Sequence, residues 1–293
     1  MILQYFIMAQ RRAESQDTQP SLKALREAIP EHCFQSSLLK SSFYLLRDIV
    51  YASFLIYAAT YIKYLPSKSL RALAWATYGF LQGCVGTGLW IIAHECGHGA
   101  FSKYPWINNL TGWVVHSLLL VPYFSWKITH ARHHRYTGHL TKDTAFVPLT
   151  EREALNKNRV KSRQQFLDLV EDTPLATSVA FLIGHQLAGW QMYLFKYKTG
   201  GKQSGFEGRQ ERSGSTPSHF NPSSPLFGPS QKAYVILSDI GLLCTASLLI
   251  HIGLKVGLSE LVLLYVIPYL WVHHWLGKDY NCSMTRQGKE AFC

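Results

Sequence analysis

Between Ala72 and Ala93 the chain has no charged side chain. Wound as a helix at about 1.5 Å per residue, such a run crosses a hydrocarbon core about 30 Å thick. Five more runs are uncharged or nearly so: 49–62, 104–126, 173–195, 233–254 (broken only by Asp239) and 261–277. Only 16% of the 293 residues are charged, where soluble domains carry roughly a quarter. Several apolar runs in one chain predict an all-α, polytopic membrane protein, because helices satisfy their own backbone hydrogen bonds in lipid.

The formal net charge is +11, with Lys and Arg concentrated between the apolar runs. No basic stripe interleaved with aromatics points to nucleic acid; the pattern fits cytosolic loops beside anionic headgroups. Cys33, Cys84, Cys96, Cys244, Cys282 and Cys293 are scattered without a C-x-x-C pair. That speaks against a disulfide framework or a zinc ribbon and for a reducing, cytosol-facing setting. At the N-terminus, M-I-L-Q-Y-F-I-M-A-Q-R-R, the apolar patch is short and the positive charges follow it, the reverse of a cleaved signal. Met8 reads as the natural start and residues 1–7 as an upstream extension.

Three segments are expected: a cytosolic N-terminal segment, 1–42; a membrane domain, 43–276; and a polar tail, 277–293. In the first, Ser21 is expected to N-cap a short helix to Ala28 that Pro30 stops. The membrane domain opens with one hairpin, 49–62 and 72–93, turning at Lys63, Pro66 and Lys68, and ends with another, 233–254 and 258–276. The run 49–62 is short for a span unless it borrows 43–46 across Arg47 and Asp48. Gly79 and Gly83 form a small-xxx-small step suited to close helix packing. Residues 201–231, rich in Gly, Ser and Pro, suit neither a span nor a regular helix. Two runs read as re-entrant or interfacial: 104–126, with Pro105, Asn108, Asn109, His116 and Pro122, and 173–195, with His185, Gln186 and Gln191.

The sequence I-I-A-H-E-C-G-H-G follows the 72–93 run directly. If that helix continues, His94 and His98 lie on one face, one turn apart. The same residues satisfy H-E-x-x-H, in which two histidines bind zinc and the Glu is a general base. A membrane zinc metalloprotease would still need a third ligand, and the apolar spans offer only Asp239 and Glu260. Downstream, His130, His133 and His134 stand at i, i+3 and i+4, within about a 100° arc.

Five of the 13 histidines thus fall into two helical ligand patterns. Five imidazoles exceed a tetrahedral zinc site and suit iron, which takes part in redox and O2 chemistry. A non-haem centre of two iron ions is the better reading, with no catalytic residue required beyond the metal ligands. Glu95 and Asp143 are candidates for carboxylates that orient ligand imidazoles. Arg132 and Arg135 flank the second cluster, where a guanidinium cannot ligate. Both clusters must share one side of the membrane, so 104–126 cannot be a single crossing. What remains is two transmembrane hairpins, with interfacial helices presenting the histidines at the cytosolic face; the basic turn 63–71 counts against that orientation.

The segments H-E-C-G-H-G-A-F-S, H-A-R-H-H-R-Y-T-G-H-L-T-K-D-T-A-F-V-P and S-H-F-N-P-S-S-P-L-F resemble membrane acyl-lipid fatty acid desaturases, the fungal delta-12 (oleate, omega-6) type most of all. L-K-A-L-R-E-A-I-P-E-H-C-F and I-P-Y-L-W-V-H-H-W-L do so too, and the similarity runs from about residue 21 to Leu276. The resemblance implies a di-iron enzyme of the endoplasmic reticulum membrane. It implies electrons from cytochrome b5 and its reductase, O2 as oxidant, and removal of two hydrogens from an acyl chain esterified to phospholipid. On that pattern His94, His98, His130, His133 and His134 are the iron ligands. An omega-3 desaturase or a fatty acyl hydroxylase would share the same metal site, and the motifs do not separate these reactions.

The family's third box, H-x-x-H-H, has no match here, because position 270 is Leu in L-W-V-H-H. His273 stands where the family has Asn, while His274 falls in a familiar position and joins Glu95 and Asp143 as a candidate outer partner of the ligands. Past Leu276 the similarity stops. Residues 277–293 read as a retained intron or frameshift, and the desaturase domain as incomplete. With five boxed histidines for two irons, weak iron binding and little or no desaturase activity are expected.

Overall fold

The computed structural model describes residues 21–147, 179, 183–184, 189–197, 200–206 and 217–284. The readings made for residues 1–20, for most of 173–195, for 207–216 and for 285–293 lie outside the described residues. Among the described residues all regular structure is helical.

The described residues fall into two compact units that divide between Ser37 and Leu38. In the first, α1 spans Leu22–Ala28, and the Ser21 hydroxyl accepts from Ala24 N at 3.1 Å. That N-cap satisfies a backbone donor the first helical turn leaves without a partner. The helix ends ahead of Pro30, and a 3-10 turn, Glu31–Phe34, follows.

The second unit opens with α2, Leu38–Ala59, one unbroken helix that does draw on 43–46. Two of its charges neutralise each other: Arg47 Nη2 lies 2.7 Å from Asp48 Oδ1, and Asp48 is buried against Gly88. After a 3-10 turn at Ile62–Tyr64 comes α3, Lys68–His98, whose N-cap Ser67 accepts from Leu70 N at 3.1 Å. The next elements are α4, Pro105–Leu118, and α5, Tyr123–Tyr136. A 3-10 turn at Pro229–Gln231 leads into α6, Lys232–Val256. The chain then continues through α7, Leu258–Leu261, a π turn at Val262–Val266, and α8, Ile267–Met284. The described part of 201–231 has no α-helix, in keeping with its Gly and Pro content.

Among the described residues, two helical stretches are long and apolar enough to cross a membrane, Leu38–Tyr64 and Pro229–Val256. The run 72–93, expected to span, is not among these two. Glycines and the polar Thr77, Gln82 and Thr87 dilute α3, which packs against α2, α4, α5 and α8 and so faces protein on several sides. A Cβ at Gly83 would overlap Trp271, and one at Gly79 would come 2.7 Å from Ile267 Cγ2. Only hydrogen at both positions lets α3 and α8 approach this closely. Tyr78 Oη donates to Leu264 O, inside the π turn, at 2.9 Å.

The run 104–126 folds as two short helices, as a run that does not cross in one piece must. At about 1.5 Å per residue the 14 residues of α4 reach about 21 Å. The chain then reverses at Leu120, held at φ 54 by bonds from Leu120 N to Ser117 O and from Val121 N to His116 O. Tyr123 Oη donates back to Asn108 O at 3.3 Å. The buried backbone donors that the first turn of α5 leaves over find a partner on another helix: Ser238 Oγ of α6 accepts from Phe124 N (2.9 Å) and Ser125 N (3.3 Å).

Candidate metal centre

The end of α3 is set by Gly99, in the left-handed region at φ 76, with Gly99 N donating to Cys96 O and Ala100 N to Glu95 O. This glycine-closed cap leaves His94 and His98 on the last turn. Across from them, α5 carries His130 and His134 one turn apart. The four rings meet through their Nε2 atoms: His94 to His98 2.9 Å, His94 to His130 3.3 Å, His98 to His130 3.2 Å and His130 to His134 3.0 Å. All four ligand atoms lie within 4.8 Å of one another.

Neutral imidazoles so close can alternate donor and acceptor along a chain, yet such a bundle of lone pairs is what a cation satisfies best. With metal–nitrogen bonds of about 2 Å, neighbouring ligands of one ion stand about 3 Å apart, the spacing found here. The donor set therefore fits a transition metal. Protonation, which would compete, is disfavoured at His94, His130 and His134. Burial first, then repulsion from His98 and His134, lowers the His94 pKa to about 4. Burial and the neighbouring imidazoles also lower His130, and burial with His98 and His133 lowers His134. The stacked Trp126 ring, 4.3 Å from that of His130, forms the apolar wall responsible.

His133 stands apart from the four, although its spacing put it on the same arc. Its Nδ1 meets Asp143 Oδ1 at 2.7 Å, which leaves Nε2 free to face a metal. Asp143 is itself fixed by Gly138 N to Oδ2 and Ala145 N to Oδ1, each 2.9 Å. Burial pushes its carboxyl up, but the bonds from His133, Ala145 and Gly138 outweigh this and hold it below the usual range. Glu95 is exposed and makes no hydrogen bond to a histidine among the described residues. His274 sits on α8 with its ring against Trp271 and Trp275, outside the four-histidine group.

A zinc-protease reading of H-E-x-x-H finds no support. The partners of His94 and His98 are two more imidazoles, and no carboxylate joins the group among the described residues.

One residue of note escaped the sequence reading. His219, in the S-H-F-N-P segment, is fully buried behind α5. Its Nε2 lies 3.1 Å from Thr129 Oγ1, next to His130, and its Nδ1 3.2 Å from Leu194 O. Its motif was visible, but its contacts lie 90 and 25 residues away in sequence.

A family model described as fatty acid desaturase matches residues 72–278. The chain is 42% identical over 266 residues to an oleate hydroxylase of Claviceps purpurea. It is 38% identical over 262 residues to a delta(12) fatty acid desaturase of Mortierella isabellina, and 38% over 257 residues to a delta(12)-fatty-acid desaturase of Arabidopsis thaliana. Each match covers 87% of this chain but only 55%, 63% and 61% of the respective relative. The chain thus spans less than two thirds of the length of these relatives.

Proposed function

Because the chain belongs to the fatty acid desaturase family, we propose that it is an O2-dependent membrane oxidoreductase that introduces a double bond into a fatty acyl chain of membrane lipid, oleoyl to linoleoyl being the favoured reaction. The observation that carries this reading is the convergence of four imidazole Nε2 atoms within 4.8 Å at the junction of two helices. Iron bound there would supply the O2 activation needed to take hydrogen from an unactivated methylene. His94, His98, His130 and His134 hold the metal, and His133, oriented through Nδ1 by Asp143, supplies a fifth ligand toward a second ion. Glu95 and His274 are proposed as outer partners. Trp90 and Trp126, both buried, exclude water from one side of the imidazoles.

The wider reading follows the family. Residues 43–276 form the desaturase membrane domain, with two transmembrane hairpins and the histidines at the cytosolic face of the endoplasmic reticulum. Cytochrome b5 and its reductase supply electrons, and the substrate is an acyl phospholipid. The fold-back of 104–126 into α4 and α5 supports placing both histidine clusters on one side.

A second reading, a fatty acyl hydroxylase, is favoured by the 42% identity to the Claviceps purpurea protein, against 38% for the desaturases named above. Expression of the chain in yeast, with lipid analysis and iron assay in parallel, separates the possibilities. New dienoic acids support desaturation, and hydroxylated acyl chains support the alternative. Little iron and no product is the result expected if the family's third histidine box is needed, whereas iron-loaded protein that forms neither product counts against both readings. Zinc near one per chain, with no iron, would reject the metal assignment.

A further inference from the structure

On the side of α5 turned away from the histidines lies a cavity of about 1110 Å³. At 100° per residue, its lining residues on α5 centre well over a third of a turn from the ligand face. Among the described residues that line it, four side chains are cations, Lys127, Arg132, Arg135 and Lys142, and none is acidic. Phe124, Ile128, Tyr136, Phe206 and Tyr234 give it an apolar wall.

Among the described residues the cations are placed without counter-charge. Lys127 Nζ donates to the neutral Asn109 Oδ1 at 2.7 Å, and Arg132 donates to two backbone carbonyls, Ser204 O at 2.8 Å and Leu226 O at 3.0 Å. Lys142 lies over the Tyr136 ring at 5.4 Å. The ion pairs among the described residues are elsewhere, at Lys23–Glu27, Arg47–Asp48 and His133–Asp143. Gathering four like charges around one concavity costs stability unless an anion enters it.

The position of the cavity selects the anion. Tyr234, on its rim, is in the first turn of α6, and its ring lies 5.4 Å from that of Phe124. The stretch Pro229–Val256 is one of the two apolar enough to span a membrane. Its beginning therefore marks the level where apolar chain gives way to headgroup. A concave site with charged and aromatic walls at that level suits a lipid more than the flatter surface of a docked protein.

We propose that this cavity is a headgroup site that holds the phosphate diester of an anionic phospholipid, with Lys127, Arg132, Arg135 and Lys142 as its ligands. The inference deepens the proposed function and rests on it for the fate of the acyl chain. That chain would need only to pass around one helix, about 10–12 Å thick with its side chains, to reach the imidazoles.

Calorimetric titration of the purified full chain in neutral detergent, without metal, tests this with three probes: dioctanoyl-phosphatidylglycerol, dioctanoylglycerol and inorganic phosphate. The phospholipid should bind at least about tenfold tighter than either of the others, and more weakly at high salt. A variant combining Lys127→Gln, Arg135→Gln and Lys142→Gln should lose about tenfold in phospholipid affinity, with unchanged helical circular dichroism. If that variant does not fold, Arg135→Gln alone, at an exposed position, should still lose several-fold. Equal binding of dioctanoylglycerol, or variants with wild-type affinity, would overturn the site. Phosphate binding as tight as the lipid's would make it a free-phosphate site instead. Saturation by an acidic globular protein that lipid does not displace would reassign the face to protein docking. Since neither metal nor turnover enters these measurements, a failure of the proposed reaction would show separately, as iron-loaded protein without oxidised acyl product.

Discussion

His219 and the cluster of His94, His98, His130 and His134 sit on two sides of the same helix, α5, and burial disfavours protonation of His219 as it does of His94, His130 and His134. In His219 both ring nitrogens are tied to protein, to Thr129 and to Leu194. In the cluster the Nε2 atoms find only one another, and His94 Nδ1 is buried with no partner. Burial lowers the His219 pKa to about 4, as it does for His94, so burial alone does not distinguish a ligand from a strut. What distinguishes them is whether the nitrogen that faces inward has already found a partner. By that criterion His219 holds the chain together behind α5, and the cluster is built for a guest.

The sharpest way to break this comparison is His130→Ala, which removes the imidazole that meets the other three. Iron retained after purification should fall at least about 100-fold, while circular dichroism stays helical. Iron unchanged in this variant would mean the convergence is incidental. Asp143→Asn should come next, at about 10–100-fold in iron affinity, because it loosens His133 without deleting a ligand.

His219→Ala should do the opposite. It should cost about 2–4 kcal/mol of thermal stability from lost hydrogen bonds and a cavity. Iron affinity measured well below the transition should change little. In the apo protein, the contribution of His219 is fully present above its ordinary pKa of 6.5 and is lost as pH falls from there toward about 4. The melting temperature of the wild type should therefore drop more steeply across that window than that of His219→Gln; parallel curves would contradict a neutral, buried ring. The smallest effect is expected for Glu95→Gln, within a few-fold in iron content, since that side chain is exposed.

The four-residue spacings of His94/His98 and His130/His134 were legible because a helix repeats locally, and the helices are where the spacing put them. The fold-back of 104–126 was legible from its prolines and polar residues. Long-range meetings were not. Ser238 capping α5, His219 bracing Thr129 and the cations gathered around the cavity each join residues far apart in sequence. The i+3 position of His133 suggested a ring level with its neighbours, but the carboxylate ten residues on draws it aside. The run 72–93 looked the most convincing span because it has no charge. Its small and polar residues also let α3 pack against several helices at once.

The π turn at Val262–Val266 has its own consequence for α8. A π turn holds one residue more than an α turn, so everything after it is rotated by about 100° from where a straight helix would carry it. Spacing counted across 262–266 therefore misassigns faces, and the helix has a phase that substitutions barely touch. Insertions and deletions touch it directly. Removing one residue from this turn would restore α spacing and swing Ile267 and Trp271 off Gly79 and Gly83, unseating α8 from the helix that carries His94 and His98. Length, more than side-chain identity, is what this stretch has to keep.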